Sequence, residues 1–171
     1  DIIVLPLLAM LVAGVVAVTL CPPVTWLLAK LGEGIALATE FTPFFMGIII
    51  AVVMGILLTL PTSSAAIWVA IALNNTSDAM LLAGGAAVVG CCCHMVGFAV
   101  MSFKENRWSG LISQGIGTSM LQIPNVMKNP RILIPPTLAS AICGPLATCL
   151  FGLRCNASGG GMGTAGLVGL F

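Results

Sequence analysis

Charged side chains are scarce in this sequence. Of its 171 residues, six are Lys or Arg and five are Asp or Glu, so charged types make up 6% of the chain and the formal net charge is +1. An ordinary soluble domain carries about 25% charged residues, which help to cover its surface. The scarcity therefore excludes a cytosolic enzyme, and the lack of a basic patch excludes a nucleic-acid-binding protein.

Catalytic residue combinations are missing as well. The chain has a single histidine, His94, and too few carboxylates to assemble a Ser-His-Asp triad or a carboxylate pair. The glycine runs at 84–85 and 159–161 lack the Lys and the following Ser or Thr of a phosphate-binding loop. We therefore expect no catalytic residue and no cofactor in this chain.

The seven cysteines do not have the spacing of a disulfide framework. Cys91, Cys92 and Cys93 are adjacent, and adjacent cysteines cannot form ordinary framework disulfides. Most of the others lie within or beside apolar runs, so we interpret them as small apolar residues packed between helices. Cys91 and His94 would share a helix face, but a tetrahedral metal site needs two further ligands, and we expect no metal.

Apolar residues dominate instead, at 59% of the chain with a mean hydropathy of +1.16. A membrane-spanning helix needs about 20 apolar residues, because each residue adds about 1.5 Å. Four runs without charge approach or exceed that length, at residues 2–29, 41–77, 79–103 and 132–153. The sequence thus predicts an all-α, polytopic membrane helix bundle whose main surroundings are a lipid bilayer.

Prolines divide the first two runs. We predict a first helix over residues 2–20 that ends before Cys21-Pro22-Pro23, followed by an amphipathic interfacial helix within 24–39. Pro61 divides the second run into helices over 44–60 and 64–73. A break inside a bilayer is tolerated only when protein buries it or when it lines a wet cavity. Thr62 and Ser63, in this break, are therefore predicted solute-binding residues.

Positive charges mark the ends of the third and fourth runs. The third run ends at Lys104-Glu105-Asn106-Arg107-Trp108, a pattern typical of a cytoplasmic membrane interface. Lys128 and Arg131 precede the fourth run and Arg154 follows it, so the positive-inside rule leaves the full topology open. Lys128 and Arg131 either mark the cytoplasmic boundary or dock an acidic or phosphorylated soluble partner.

Two further segments are too polar or too rich in glycine to cross a membrane. Residues 109–125 and 155–171 are predicted to be re-entrant or broken helical segments inside the protein, with an unstructured tail as the alternative for the second. Gln114, Gln122 and Asn125 lie in the first segment. Their amides either bind solute hydroxyls or satisfy unwound backbone groups.

Four stretches of the sequence resemble a known family. They are residues 44–64 (FFMGIIIAVVMGILLTLPTSS), 97–110 (GFAVMSFKENRWSG), 114–131 (QGIGTSMLQIPNVMKNPR) and 134–146 (IPPTLASAICGPL). They resemble the membrane-embedded IIC-type proteins of the bacterial phosphotransferase system, and more narrowly the perfringolysin-regulator-like branch. The resemblance implies an integral protein of the bacterial inner membrane that binds a sugar while a soluble phosphoryl-donor protein phosphorylates it.

The chain also departs from that family. Family members are longer, so the resemblance implies that residues 1–171 form a single integral membrane domain and part of a longer IIC-like fold. The Gly-Ile-Thr-Glu stretch of the family is only faintly echoed by Leu37-Ala38-Thr39-Glu40-Phe41. Because so small a chain can hardly enclose a cavity alone, we expect a homodimer.

Two ionisable residues lie in or beside the predicted spans. Glu40 either accepts a hydrogen bond from a sugar hydroxyl or is an interfacial charge. His94, in the middle of the third run, either donates to a substrate or makes a hydrogen bond between helices, which stabilises the fold by about 1 kcal/mol. The sequence thus predicts a permease component for a small polar solute. The alternatives are a non-transporting sensor or regulator on the same scaffold, and a structural fragment that needs a partner chain.

Overall fold

The computed structural model describes residues 4–73 and 75–170, and this part of the chain contains seven α-helices and no β-strand. The predicted all-α helical bundle is confirmed. The helices are α1 (Val4–Phe41), α2 (Pro43–Thr59), α3 (Ser64–Ala72), α4 (Asp78–Met101), α5 (Phe103–Ile112), α6 (Ile123–Lys128) and α7 (Ile134–Pro145). By length and composition, three stretches could cross a membrane: Val4–Phe41, Asp78–Met101 and Pro130–Leu150.

The centre of the bundle consists of α2, α4 and α7. Glycines allow these helices to approach closely: the Gly90 backbone of α4 lies against Ala51 of α2, and Gly144 of α7 lies against Gly47 of α2. Small residues at such contacts are typical of helix packing in membranes, where close backbone approach replaces the hydrophobic effect.

The bundle has two differently charged ends. Helices α2 and α4 begin at the end that carries Glu40, Asp78 and Arg154, which we call the acidic end. Helix α7 runs in the opposite direction, because Pro136 near its start packs on Gly97, late in α4. The other end carries four cations and is called the cationic end; they are Lys104, Arg107, Lys128 and Arg131.

The predicted end of the first helix at residue 20 is wrong. Helix α1 continues through Pro22 and Pro23, so residues 24–39 belong to the same helix and do not form a separate interfacial one. The prediction applied to proline a rule that holds in water, where the chain can leave the helix at little cost. In lipid the backbone has no other hydrogen-bond partners, so the helix persists.

The predicted break at Pro61 is confirmed. Helix α2 ends at Thr59, Leu60 has extended backbone angles (φ −71°, ψ 159°), and α3 begins at Ser64. Proline lacks a backbone N–H and disfavours helical angles in the residue before it, which explains the extended Leu60. The Ser63 side chain then caps α3 by accepting a hydrogen bond from the backbone N–H of Ala66, at 3.3 Å.

The segment after α5 is broken, as predicted for residues 109–125. A π-helical turn over Ser113–Gly117 leads to an extended Thr118 (φ −160°, ψ 143°), and a 3₁₀ turn over Ser119–Gln122 precedes α6. The glycine-rich residues after 155 return to the bundle, because Gly160 lies against the Trp68 ring and Gly161 against Ser64. The alternative of an unstructured tail does not describe them.

Candidate functional site

Three irregular parts of the chain meet beside α4: the break at Pro61, the turns over residues 113–122 and the glycine-rich residues after 155. The Ser64 hydroxyl, after the Pro61 break, donates to the carbonyl of Gly161 at 2.8 Å. The Thr164 hydroxyl of the glycine-rich segment donates to the carbonyl of Gly115. These two bonds anchor the chain beside its breaks, whereas residues 60–63 of the Pro61 break are themselves exposed.

A buried hydrogen-bond network centres on His94, and we call it the His94 network. The Thr59 hydroxyl, in the last turn of α2, lies 3.1 Å from His94 Nδ1 and 3.3 Å from the Ser119 hydroxyl. His94 and Ser119 are 0% exposed and Thr59 is 2% exposed. The network therefore ties α4 to the end of α2 and to the broken segment after α5.

The second nitrogen of His94 has no such partner. Nε2 is buried and makes no hydrogen bond to any described residue. It lies beside Gly55, where an added Cβ would fall 2.8 Å from it. The ring also packs edge-on against Phe98, with ring centroids 6.0 Å apart. The bond to Thr59 matches the helix-to-helix alternative for His94.

An unbroken series of amides joins the three residues predicted in segment 109–125, and we call it the amide chain. Gln114 Oε1 accepts from Gln122 Nε2 at 3.0 Å and from the Ser102 hydroxyl at 3.2 Å. Gln122 Oε1 in turn accepts from Asn125 Nδ2 at 2.8 Å. Because each amide fixes the next, the chain presents Gln122 and Asn125 in defined orientations.

The amide chain opens on a cavity at the cationic end, which we call the first cavity. Its volume is about 400 Å³, within the range of small-molecule sites. Amides, a carboxylate, an ammonium and the apolar side chains of Met101 and Ile132 face it, so it offers donors, acceptors and an apolar surface. Its polar and aromatic lining residues are Phe98, Ser102, Glu105, Asn106, Gln122, Asn125, Lys128 and Asn129.

A second cavity lies beside the Pro61 break. Its volume is about 420 Å³, and Thr62, Ser63 and Thr118 line it together with the backbone at Gly161. The Thr62 hydroxyl donates to the carbonyl of Leu57 at 3.0 Å, which fixes the side chain. The predicted residues Thr62 and Ser63 thus lie in a different cavity from Gln122 and Asn125.

Glu40 lies apart from all of these residues. It is exposed at the acidic end and lines a third cavity of about 230 Å³ with Asp78 and Arg154. Arg154 and Asp78 form an exposed ion pair at 3.2 Å, and exposed pairs of this kind contribute little to stability. The structure therefore does not bring Glu40 together with the other predicted site residues.

Several residues of the site were missing from the sequence prediction. Thr59 links His94 to Ser119, and Phe98 lies beside the first cavity with a side chain that is almost fully buried. Thr59 could have been found as the last hydroxyl before a proline break within an apolar run. Phe98 carried no such signal, because aromatic residues in membrane helices are common.

Cys91, which lies three residues before His94, makes a hydrogen bond to another helix. The Cys91 thiol is buried and donates to the carbonyl of Met54 at 3.6 Å. In the part of the chain that the structure describes, no three His, Cys, Asp or Glu side chains come together as metal ligands would.

The chain is similar to one known family. A family model described as Phosphotransferase system, EIIC matches residues 1–171. No curated protein matches the chain, and no solved structure does.

Proposed function

We propose that this chain, which belongs to the phosphotransferase system EIIC family, crosses the bacterial inner membrane several times, binds a sugar in the first cavity and carries it across. Family membership makes it a membrane-embedded permease component that works with other components of the system and with a transported solute. A separate soluble protein is proposed to supply the phosphoryl group.

The amide chain is the observation that carries the proposal. A sugar hydroxyl both donates and accepts hydrogen bonds, and an amide side chain can accept from it through its oxygen or donate to it through its nitrogen. Gln114 holds Gln122, and Gln122 holds Asn125, so both groups facing the cavity are positioned before a solute arrives. Such preorganisation lowers the entropy lost on binding.

The charge distribution supports an orientation. The cationic end carries Lys104, Arg107, Lys128 and Arg131, with Glu105 among them. Short positively charged loops lie on the cytoplasmic side of bacterial membrane proteins. In this orientation the first cavity faces the cytoplasm, where a phosphoryl-donor protein can reach a bound sugar. The cations would also attract an acidic or phosphorylated partner.

A sensor or regulator on the same scaffold is the second candidate function. The resemblance of the four stretches 44–64, 97–110, 114–131 and 134–146 to perfringolysin-regulator-like proteins favours it. A sensor needs the same solute cavity but no flux. In either case a homodimer stays a prediction, and the largely exposed apolar surface of α1 is compatible with it.

Uptake into proteoliposomes tests the proposal. The purified chain is reconstituted with soluble phosphoryl-donor proteins and supplied with a panel of labelled sugars. We expect uptake of at least one sugar, and at limiting sugar we expect Asn125→Ala to lower it about tenfold, since one hydrogen bond to solute is lost. Asn75→Ala, which removes an amide that bonds Ser77 outside the three cavities, is the matched control.

The outcomes separate the two functions. Solute binding without flux by the wild-type chain would favour the sensor. Equal uptake by wild type and Asn125→Ala, with the control also unchanged, would contradict binding in the first cavity. Glu40→Gln addresses the third cavity: unchanged uptake would remove Glu40 from the proposed solute path.

A further inference from the structure

One short segment separates the first cavity from the second. Gln122 lines the first cavity, whereas Thr118 and Met120 line the second. Ser119 lies between them and is fully buried. A solute moving between the two cavities by the shortest way would therefore have to displace residues 118–122.

Side-chain hydrogen bonds hold this segment in place. Ser119 bonds to Thr59, and Thr59 bonds to His94. Both of these partners belong to helices of the central bundle, so the network anchors an irregular segment to a rigid frame. At the other end of the segment, Gln122 is held through Gln114.

The backbone of the segment is poorly suited to stay closed without that anchor. Its turns are π-helical and 3₁₀, and Thr118 between them is extended, so the segment has no continuous helical ladder of its own. Gly117 marks its start, and nothing lies within 4 Å of where a Cβ would stand there. Segments of this kind open at lower free energy than packed helices.

We propose that residues 118–122 are a gate between the two cavities, latched closed by the bonds from Ser119 to Thr59 and from Thr59 to His94. The solute passes between the cavities when the latch opens. This inference rests on the proposed function, because it needs a solute in the first cavity. It gives Thr62 and Ser63, on the far side of the gate, a role as the next polar surface that the solute meets.

Hydrogen exchange measured by mass spectrometry tests the latch in the full chain. Ser119→Ala and Thr59→Val each remove one latch hydroxyl with little change in shape. We expect exchange of peptides within 113–122 to become about threefold to tenfold faster in each variant, the effect of one lost hydrogen bond. In the double variant, exchange of these peptides should be about as fast as in either single variant, because both substitutions break the same latch.

Thr39→Val is the matched control. Thr39 is as buried as Thr59, and both hydroxyls donate within their own helices, Thr39 to the carbonyl of Ile35 at 2.7 Å and Thr59 to that of Gly55 at 3.1 Å, but Thr39 has no bond to the latch. We expect it to leave exchange in 113–122 unchanged. Unchanged exchange in Ser119→Ala and Thr59→Val, or an equal acceleration by Thr39→Val, would overturn the latch.

Solute exchange across proteoliposome membranes tests the gate separately. Its rate would not change if the latch hydroxyls only stabilised the fold. With the latch weakened in Ser119→Ala, we expect faster counterflow of solute and a Kd within about twofold of wild type. Faster hydrogen exchange with unchanged counterflow would refute the gate. A wild-type chain that binds no solute would instead contradict the proposed function, while the hydrogen-exchange rates would still report on the latch.

Discussion

At the scale of single residues, two kinds of residue determine the site: glycines that bring helices together and amide residues that face the cavity. Gly90 has no room for a Cβ, because that atom would overlap the carbonyl of Ala51 on α2. The same close contact sets the distance at which His94, one turn further along α4, reaches Thr59 on α2. Helix spacing and the His94 network are therefore linked.

Gly90→Ala is expected to destabilise the bundle. The added methyl group forces α2 and α4 apart, and overpacking of this kind costs about 1–3 kcal/mol. Thermal unfolding in detergent measures the effect. Gly34→Ala is the control: nothing lies within 4 Å of its Cβ position, and alanine favours the helix there. Equal stability of the two variants would show that α2 and α4 are not in close contact.

The sequence predicted the amides better than it predicted their partners. Gln122 and Asn125 were predicted as solute-binding residues because buried polar groups in an apolar chain are costly; the structure places both at one cavity, and their binding of solute stays a prediction. Glu40 was found by the same reasoning but lies at the opposite end. Distance along the chain does not reveal which broken segments meet, since that depends on how α2, α4 and α7 pack.

At the scale of elements, proline acts differently at two places in this chain. At Pro61 the helix ends; the break is exposed and lines the second cavity, and Ser64 after it bonds to the glycine-rich segment. At Pro22 and Pro23 the helix continues, and residues 4–27 are exposed. A break in a membrane helix is tolerated only where protein buries it or where it lines a wet cavity. That condition is a tertiary property, so the sequence predicted one case and not the other.

Replacing Pro22 and Pro23 together by alanine is expected to leave the bundle intact. The change restores two backbone donors in a part of α1 that is exposed along its whole length. We expect the free energy of unfolding not to fall, because alanine is favoured over proline in a helix interior by about 3 kcal/mol per residue, and we expect uptake to stay the same. Pro61→Ala is the comparison, and it should lower uptake because it releases the extended backbone beside the second cavity. A loss of uptake in the Pro22 and Pro23 variant would mean that a kink in α1 is required.

At the scale of the whole molecule, charge separates the two ends of the bundle. The four cations of the cationic end lie in the part of the chain between α4 and α7, whereas Glu40 and Asp78 lie at the acidic end with Arg154. The sequence alone left this asymmetry unresolved, because positive charges stand on both sides of the fourth apolar run: Lys128 and Arg131 before it and Arg154 after it. The structure resolves it by placing Arg154 in an ion pair with Asp78.

The proposed orientation predicts which lysines react from each side of the membrane. Lys104 and Lys128 should react with a membrane-impermeant amine reagent in inside-out vesicles, and they should be protected in cells with an intact inner membrane. Peptide mass spectrometry identifies the labelled lysine, and Lys128→Arg removes one signal as a control. Labelling of both lysines from outside intact cells would reverse the orientation and put the first cavity on the wrong side for a cytoplasmic phosphoryl donor.

Equilibrium binding of sugar to the purified chain tests the central claim most directly. Gln122→Leu keeps the size of the side chain but removes both of its bonds in the amide chain. The account predicts a Kd at least about tenfold higher than wild type for any sugar that binds, with Asn75→Leu unchanged and thermal unfolding confirming that both variants are folded. Wild-type affinity in a folded Gln122→Leu variant would contradict it.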